Sequence, residues 1–126
     1  MKLRSPLARV RGLGAAGTGT EEFIAQRLTA IALIPLLLWF VTSVISLALA
    51  DYATVIAWIR TPWVTVSFLL LILVLFHHVH AGLQEILRDY VHHEILKTIS
   101  MVGMKFLVVT MTVSSVLAIL RIALGD

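Results

Sequence analysis

Three long apolar runs, Leu28 to Ala50, Trp63 to Leu87 and Met101 to Ala123, constrain this chain more than any other feature. At ~1.5 Å rise per residue, each is long enough as a helix to cross the ~30 Å hydrocarbon core of a bilayer. A backbone in hydrocarbon must satisfy its own N–H and C=O groups, so runs of this length fold as α-helices. Composition agrees. Of the 126 residues 60% are hydrophobic and the mean hydropathy is +0.99, whereas a soluble domain is roughly half apolar. The expected fold class is an all-α integral membrane protein with three transmembrane helices.

Little polar mass remains outside the spans. The division expected is a basic N-terminal arm, residues 1–26, and a three-helix membrane anchor domain, residues 27–126. The arm carries Lys2, Arg4, Arg9 and Arg11 and then a Gly, Ala and Thr run that cannot bury a core, so it should order only against a partner. Gly12, Gly14, Gly17 and Gly19 weaken any amphipathic presequence helix, and no secretory apolar region follows, which favours a retained cytoplasmic arm. The first helix should begin near Glu21 or Glu22, since acidic residues suit a helix N-terminus. Pro35 lies inside the first span, where it frees a carbonyl and tends to bend the helix.

Between the first two spans, Tyr52, Val55, Ile56 and Ile59 recur at helical spacing beside Trp58 and Arg60, the pattern of a short interfacial segment. Thr61 and Pro62 then read as N-cap and first helical position of the second span. With so little soluble mass, any enzyme function must be shared with other subunits. The absence of cysteine excludes disulfides, thiolate zinc and iron–sulfur ligation on this chain. The net charge of +3 does not suggest nucleic acid, because the basic residues flank spans rather than forming a surface stripe.

Those basic residues also give an orientation. Lys2, Arg4, Arg9, Arg11 and Arg27 precede or open the first span, and Arg88, Lys97 and Lys105 lie at or near the second connection; the other side has Arg60 and Arg121. By the positive-inside rule the N-terminus is cytoplasmic and the C-terminus periplasmic.

The second span carries His77, His78 and His80 in otherwise apolar sequence. An intramembrane imidazole is costly without a partner, and a metal ion satisfies its ring nitrogen most completely. At ~100° per residue, His78 and His80 point roughly 200° apart, so the three cannot share one ligand. His78 shares a face with Gly82, Glu85 and Asp89, His80 with Gln84, and His77 with Ala81 and Arg88. Gly82, one turn beyond His78, removes a side chain where a flat macrocycle would approach the backbone, which singles out His78 as a haem ligand. His77 and His80 are expected at a haem edge, a propionate, a partner helix or the interface, and His92 and His93 at the solvated end. The other spans hold no histidine, and Met101, Met104 and Met111 are read as packing residues, so a bis-histidine haem needs a second subunit.

On these residues the chain resembles the hydrophobic membrane anchor family of succinate dehydrogenase, the D-type subunit of bacterial respiratory complex II. The resemblance rests on three stretches. They are the H-x3-G-x6-DY pattern of His78, Gly82, Asp89 and Tyr90, the sequence QRLTAIALIPL from Gln26 to Leu36, and PLARVRGLG from Pro6 to Gly14. It implies that His78 is one axial ligand of haem b iron, the other coming from a C-type cytochrome b anchor subunit. It also implies that Asp89 and Tyr90 lie at the ubiquinone site, with Arg27 near that site or the haem propionates. Succinate oxidation, FAD and the iron–sulfur clusters would belong to a flavoprotein subunit and an iron–sulfur subunit. The location implied is the bacterial cell inner membrane. Two rivals are an anchor of quinol:fumarate reductase and a cofactor-free structural tether. A three-span transporter is disfavoured by the lack of an inverted repeat.

Overall fold

A computed structural model describes residues 15–125, in four helices: α1 (Ala15–Ser46), α2 (Tyr52–Arg60), α3 (Pro62–Tyr90) and α4 (Glu94–Leu124). Three of them, Thr20–Ser46 within α1, all of α3 and all of α4, are long and apolar enough to cross a membrane. The three-span expectation is thus met, with helix ends that differ from the apolar runs: α3 and α4 extend beyond theirs, while α1 starts earlier and stops at Ser46, four residues short of Ala50. α1 starts at Ala15 and takes in the last twelve residues assigned to the arm, and α4 starts at Glu94, seven residues before Met101. Arm residues 1–14 lie outside the described residues.

α3 is the centre of the bundle. It packs against α1 on one side and α4 on the other, while α2 touches α3 and α4. The core is thin: Leu33, Ile59, Val64 and Leu71 are its buried apolar side chains among the described residues. Large apolar residues are exposed along every span, such as Leu28 and Ile34 on α1, Val66 and Leu73 on α3, and Phe106 and Val113 on α4. A soluble helix would hide one such stripe; here lipid or neighbouring subunits must cover them.

At the α2 end the bundle is held by aromatic rings. Trp39 stacks on Trp58 with centroids 5.8 Å apart, meets Trp63 at 6.2 Å edge-on, and meets Phe68 at 5.6 Å. The expected interfacial segment is a helix tied to α1 by Trp39 and to α3 by Phe68, whose ring lies 5.4 Å from that of Trp58. Asp51 caps α2, its side chain accepting from the Thr54 N–H at 3.0 Å, and hydrogen bonding from the Thr54 side chain, with this backbone bond second, holds the Asp51 carboxyl below its ordinary range. At its other end the Arg60 Nε–H donates to the Ile122 carbonyl at 2.9 Å, one of the last carbonyls of α4 that lack a helical partner.

Thr61 and Pro62 occupy the expected N-cap and first helical positions of α3. The Thr61 hydroxyl, however, makes no cap. It donates to the Ala57 carbonyl at 3.1 Å, while Thr65 donates to the Ile59 carbonyl at 2.6 Å. The hydroxyls thus tie the α2–α3 corner instead of closing α3. Within the spans Thr42, Ser46, Ser67 and Thr112 each donate to a carbonyl one turn back, which keeps a polar side chain satisfied in an apolar surrounding. α1 runs unbroken through Pro35.

Candidate functional site

The site lies where α1 and α3 run side by side towards the N-terminal end of the bundle. α3 carries His77, His78 and His80 some ten to thirteen residues before its last residue, Tyr90. α1 brings Glu22, Gln26, Arg27 and Thr29 alongside in the antiparallel sense. Two contacts set the register. Arg88 meets Glu22 in a bidentate ion pair, Nη1 to Oε2 at 2.8 Å and Nη2 to Oε1 at 3.1 Å. Deeper in, the Thr29 Oγ1 lies 3.0 Å from His78 Nδ1.

The Thr29 hydroxyl also lies 3.0 Å from the Ala25 carbonyl and 3.0 Å from the Gln26 carbonyl of its own helix. His78 is half-buried at this contact. Among the described residues it is the one histidine of the three in α3 with a hydrogen bond, and that bond leads to another helix.

His77 and His80 face two grooves instead. One, about 260 Å³, lies between α1 and α3 and is lined by His77, His80, Gln84 and Arg88 with Glu21 and Gln26. The other, about 280 Å³, lies between α3 and α4, where Lys105 and Thr112 join His77 and His80. The shared side of His77, Ala81 and Arg88 read from helical spacing is thus present, and it turns towards α1. Neither Lys105 nor the Glu22–Arg88 pair figured in the sequence reading of the site.

The remaining expected residues lie at or near the N-terminal end. Asp89 and Tyr90 close α3 and are exposed, Tyr90 by 77%. Arg27 is exposed, its guanidinium carbon 5.1 Å from the centroid of the Phe23 ring, and it touches neither Tyr90 nor His78 within the chain. Since Thr29 stands opposite His78, Arg27 lies about 3 Å closer than Thr29 to the end bearing Asp89 and Tyr90, at ~1.5 Å per residue. His92 and His93 are exposed, and His93 caps α4 by accepting from the Leu96 N–H at 3.3 Å.

A prosthetic group shared with another chain would find one imidazole here rather than an enclosing set of ligands. Among the described residues no cluster of three or more His, Cys, Asp and Glu could enclose a metal ion, so the chain offers single imidazoles. One of them is anchored through Nδ1 and has Nε2 uncommitted among the described residues. Beside it, a Cβ built on Gly82 would meet nothing within 4 Å. No packing among the described residues requires that glycine, and it leaves bare backbone on the His78 face.

A family model described as the transmembrane subunit of succinate dehydrogenase and fumarate reductase matches residues 1–120. The chain belongs to that family. Its sequence is 22% identical over 116 residues to the succinate dehydrogenase hydrophobic membrane anchor subunit of Rickettsia bellii, covering 92% of this chain and 93% of that one. The protein of the same name from Rickettsia conorii is 22% identical over 109 residues, covering 85% of this chain and 86% of its own length. No solved structure matches at a significant level. With three helices able to span, this member of the family is a multi-pass protein of the bacterial inner membrane.

Proposed function

We propose that this chain is the hydrophobic anchor subunit of a succinate:ubiquinone oxidoreductase. His78 gives one axial bond to a haem b shared with a C-type cytochrome b anchor subunit. Asp89, Tyr90 and Arg27 serve the quinone site or the haem propionates. A flavoprotein subunit and an iron–sulfur subunit carry succinate oxidation, and this chain has no succinate-oxidising site. The observation that carries the reading is the anchoring of His78: of three intramembrane imidazoles, the one on the face of Gly82 and Asp89 is held from behind by a second helix.

The chemistry left to this chain is modest and positional. Bound haem supplies one-electron transfer at a potential set by its ligands and their surroundings. His78 presents a nitrogen lone pair at fixed depth on a rigid helix, because Thr29 and the Glu22–Arg88 pair lock α3 against α1. About 16 Å along α3 from His78, at ~1.5 Å per residue, Asp89 and Tyr90 reach the membrane boundary, where water and protons are available. Quinone reduction takes up two protons. The Tyr90 hydroxyl can donate to a quinone carbonyl and favour the negative charge that develops there, and the Asp89 carboxylate can hold a proton in transit from water. Arg27, on the same side of Thr29, can pair with an anionic group at that level.

The test is optical. In the assembled complex, His78→Ala should lose haem or its low-spin spectrum, while His77→Ala and His80→Ala keep both. An unchanged spectrum in His78→Ala removes the assignment. The family also includes fumarate reductases, in which electrons would run the opposite way through the same groups.

A further inference from the structure

Thr29 stands opposite His78 across 49 residues of sequence, at a depth where a side-chain hydroxyl needs only one partner and already has it. A threonine hydroxyl has one proton to give and two lone pairs to receive with. Its Oγ1 lies within 3.0 Å of both the Ala25 and Gln26 carbonyls, acceptors that can only take a proton. When that proton goes to the helix, as it does for Thr42 and Thr112, Oγ1 faces His78 with lone pairs alone. The 3.0 Å contact then requires the hydrogen to be on Nδ1.

The opposite arrangement is costly. Were Thr29 to donate to Nδ1, the proton of the neutral ring would sit on Nε2. Among the described residues nothing accepts from that nitrogen. An unpaired N–H in hydrocarbon loses its hydration with nothing in return. The Nδ1–H form avoids this and leaves the Nε2 lone pair for a metal, the arrangement in which the outer ring nitrogen of a metal-bound histidine donates to a neighbouring oxygen.

We infer that Thr29 is a positioning residue for the metal-binding nitrogen: by accepting the Nδ1–H of His78 it fixes the tautomer and ring orientation that aim Nε2 at iron. The inference rests on the reading of His78 as a haem ligand, and it adds a residue of α1 to a site otherwise built on α3. It also sets the basicity of the ligand. A ring that donates a hydrogen bond through Nδ1 is a stronger electron donor through Nε2, which favours ferric iron and lowers the haem potential.

The experiment uses the assembled membrane complex with three substitutions. Thr29→Val keeps the shape and removes the acceptor, Thr29→Ala removes it with a residue that favours helix, so that α1 still forms, and Thr29→Ser restores it. Two quantities are read: the rate at which haem leaves the complex for an excess of apomyoglobin, and the haem midpoint potential from an optical redox titration. The expected result for Thr29→Val and Thr29→Ala is a loss of haem roughly 10- to 100-fold faster, the usual effect of removing such a partner. A higher potential should accompany it, with both quantities returning to wild-type values in Thr29→Ser. A loosened helix pair would speed haem loss but would not be rescued in potential by a hydroxyl alone. If Thr29→Val and Thr29→Ala keep wild-type rate and potential while His78→Ala loses haem, the inference about Thr29 falls and the ligand assignment stands. If His78→Ala itself keeps the haem spectrum, both fall.

Discussion

Tyr90 ends α3 with 77% of its surface exposed, which is unusual for a residue given a chemical role until its setting is considered. A tyrosine at a membrane boundary keeps its ring against apolar surface and its hydroxyl in water, so it would offer a donor at the right depth to the proposed quinone. A hydrogen bond between neutral groups is worth about 0.5–1.5 kcal/mol. Tyr90→Phe should therefore lower succinate-driven quinone reduction by roughly two- to tenfold. Electron transfer from succinate to an artificial acceptor of the soluble subunits should be unaffected. Assembled Tyr90→Phe complex that reduces quinone at the normal rate and affinity would show that the hydroxyl is not the donor. At this scale the helical period was a sound guide, since His78, Gly82 and Asp89 do follow one another along α3. The partners of the site were out of its reach. Thr29 pairs with His78 over 49 residues and Glu22 with Arg88 over 66, and nothing local in either stretch announces a contact made only when two helices pack.

Elements show a different division between what a sequence announces and what it hides. An apolar run reports the thickness of hydrocarbon, not the length of the helix. Helix ends are set by caps and corners, and these use polar residues beyond the run. α4 begins at Glu94 because the preceding His93 accepts the Leu96 N–H, and α1 reaches back to Ala15 in spite of Gly17 and Gly19. Thr61 shows the converse, a residue type and position that suit a cap while the hydroxyl goes to Ala57. α2 offers a direct test of a cap that does form. Asp51 accepts from Thr54, and hydrogen bonds from the Thr54 side chain first and its backbone N–H second hold the carboxyl below the ordinary aspartate range by favouring the charged form. A depressed carboxyl stabilises the fold above its unfolded value and loses this contribution as pH falls through the folded one. The first turn of α2 should thus stay protected from amide exchange near neutral pH and open only at pH below about 4. Asp51→Ala should open it already at pH 7, and Asp51→Asn, which can still accept, should hold it closed without the acid-dependent loss. Protection of residues 52–56 that is the same in Asp51→Ala as in wild type would show that the rings of Trp39 and Trp58, not the cap, hold this helix.

At the scale of the whole molecule, the three spans leave apolar surface outward on every helix and place α3 between α1 and α4, a surface suited to lipid or to neighbouring membrane helices. Its orientation there follows from charge. Three alternating spans put the start of α1, the end of α3 and the start of α4 on one side, and the end of α1, all of α2 and the end of α4 on the other. Of ten Lys and Arg residues, Arg60 and Arg121 lie on the second side, and Arg60 is already engaged by the end of α4. The other eight belong to the first side or to the halves of the spans nearest it, and translocating them would cost more than retaining them. The first side is therefore expected to be cytoplasmic, which would put Asp89 and Tyr90 on the side of the proposed soluble subunits. The natural chain has no cysteine, so a single introduced thiol reports without background. In intact cells, a membrane-impermeant maleimide should label Gly125→Cys from the periplasm and leave Ala8→Cys unlabelled until the cells are opened. Labelling of both positions from the periplasm would contradict three spans, and labelling of Ala8→Cys alone would invert the bundle and put the proposed quinone site on the wrong face of the membrane.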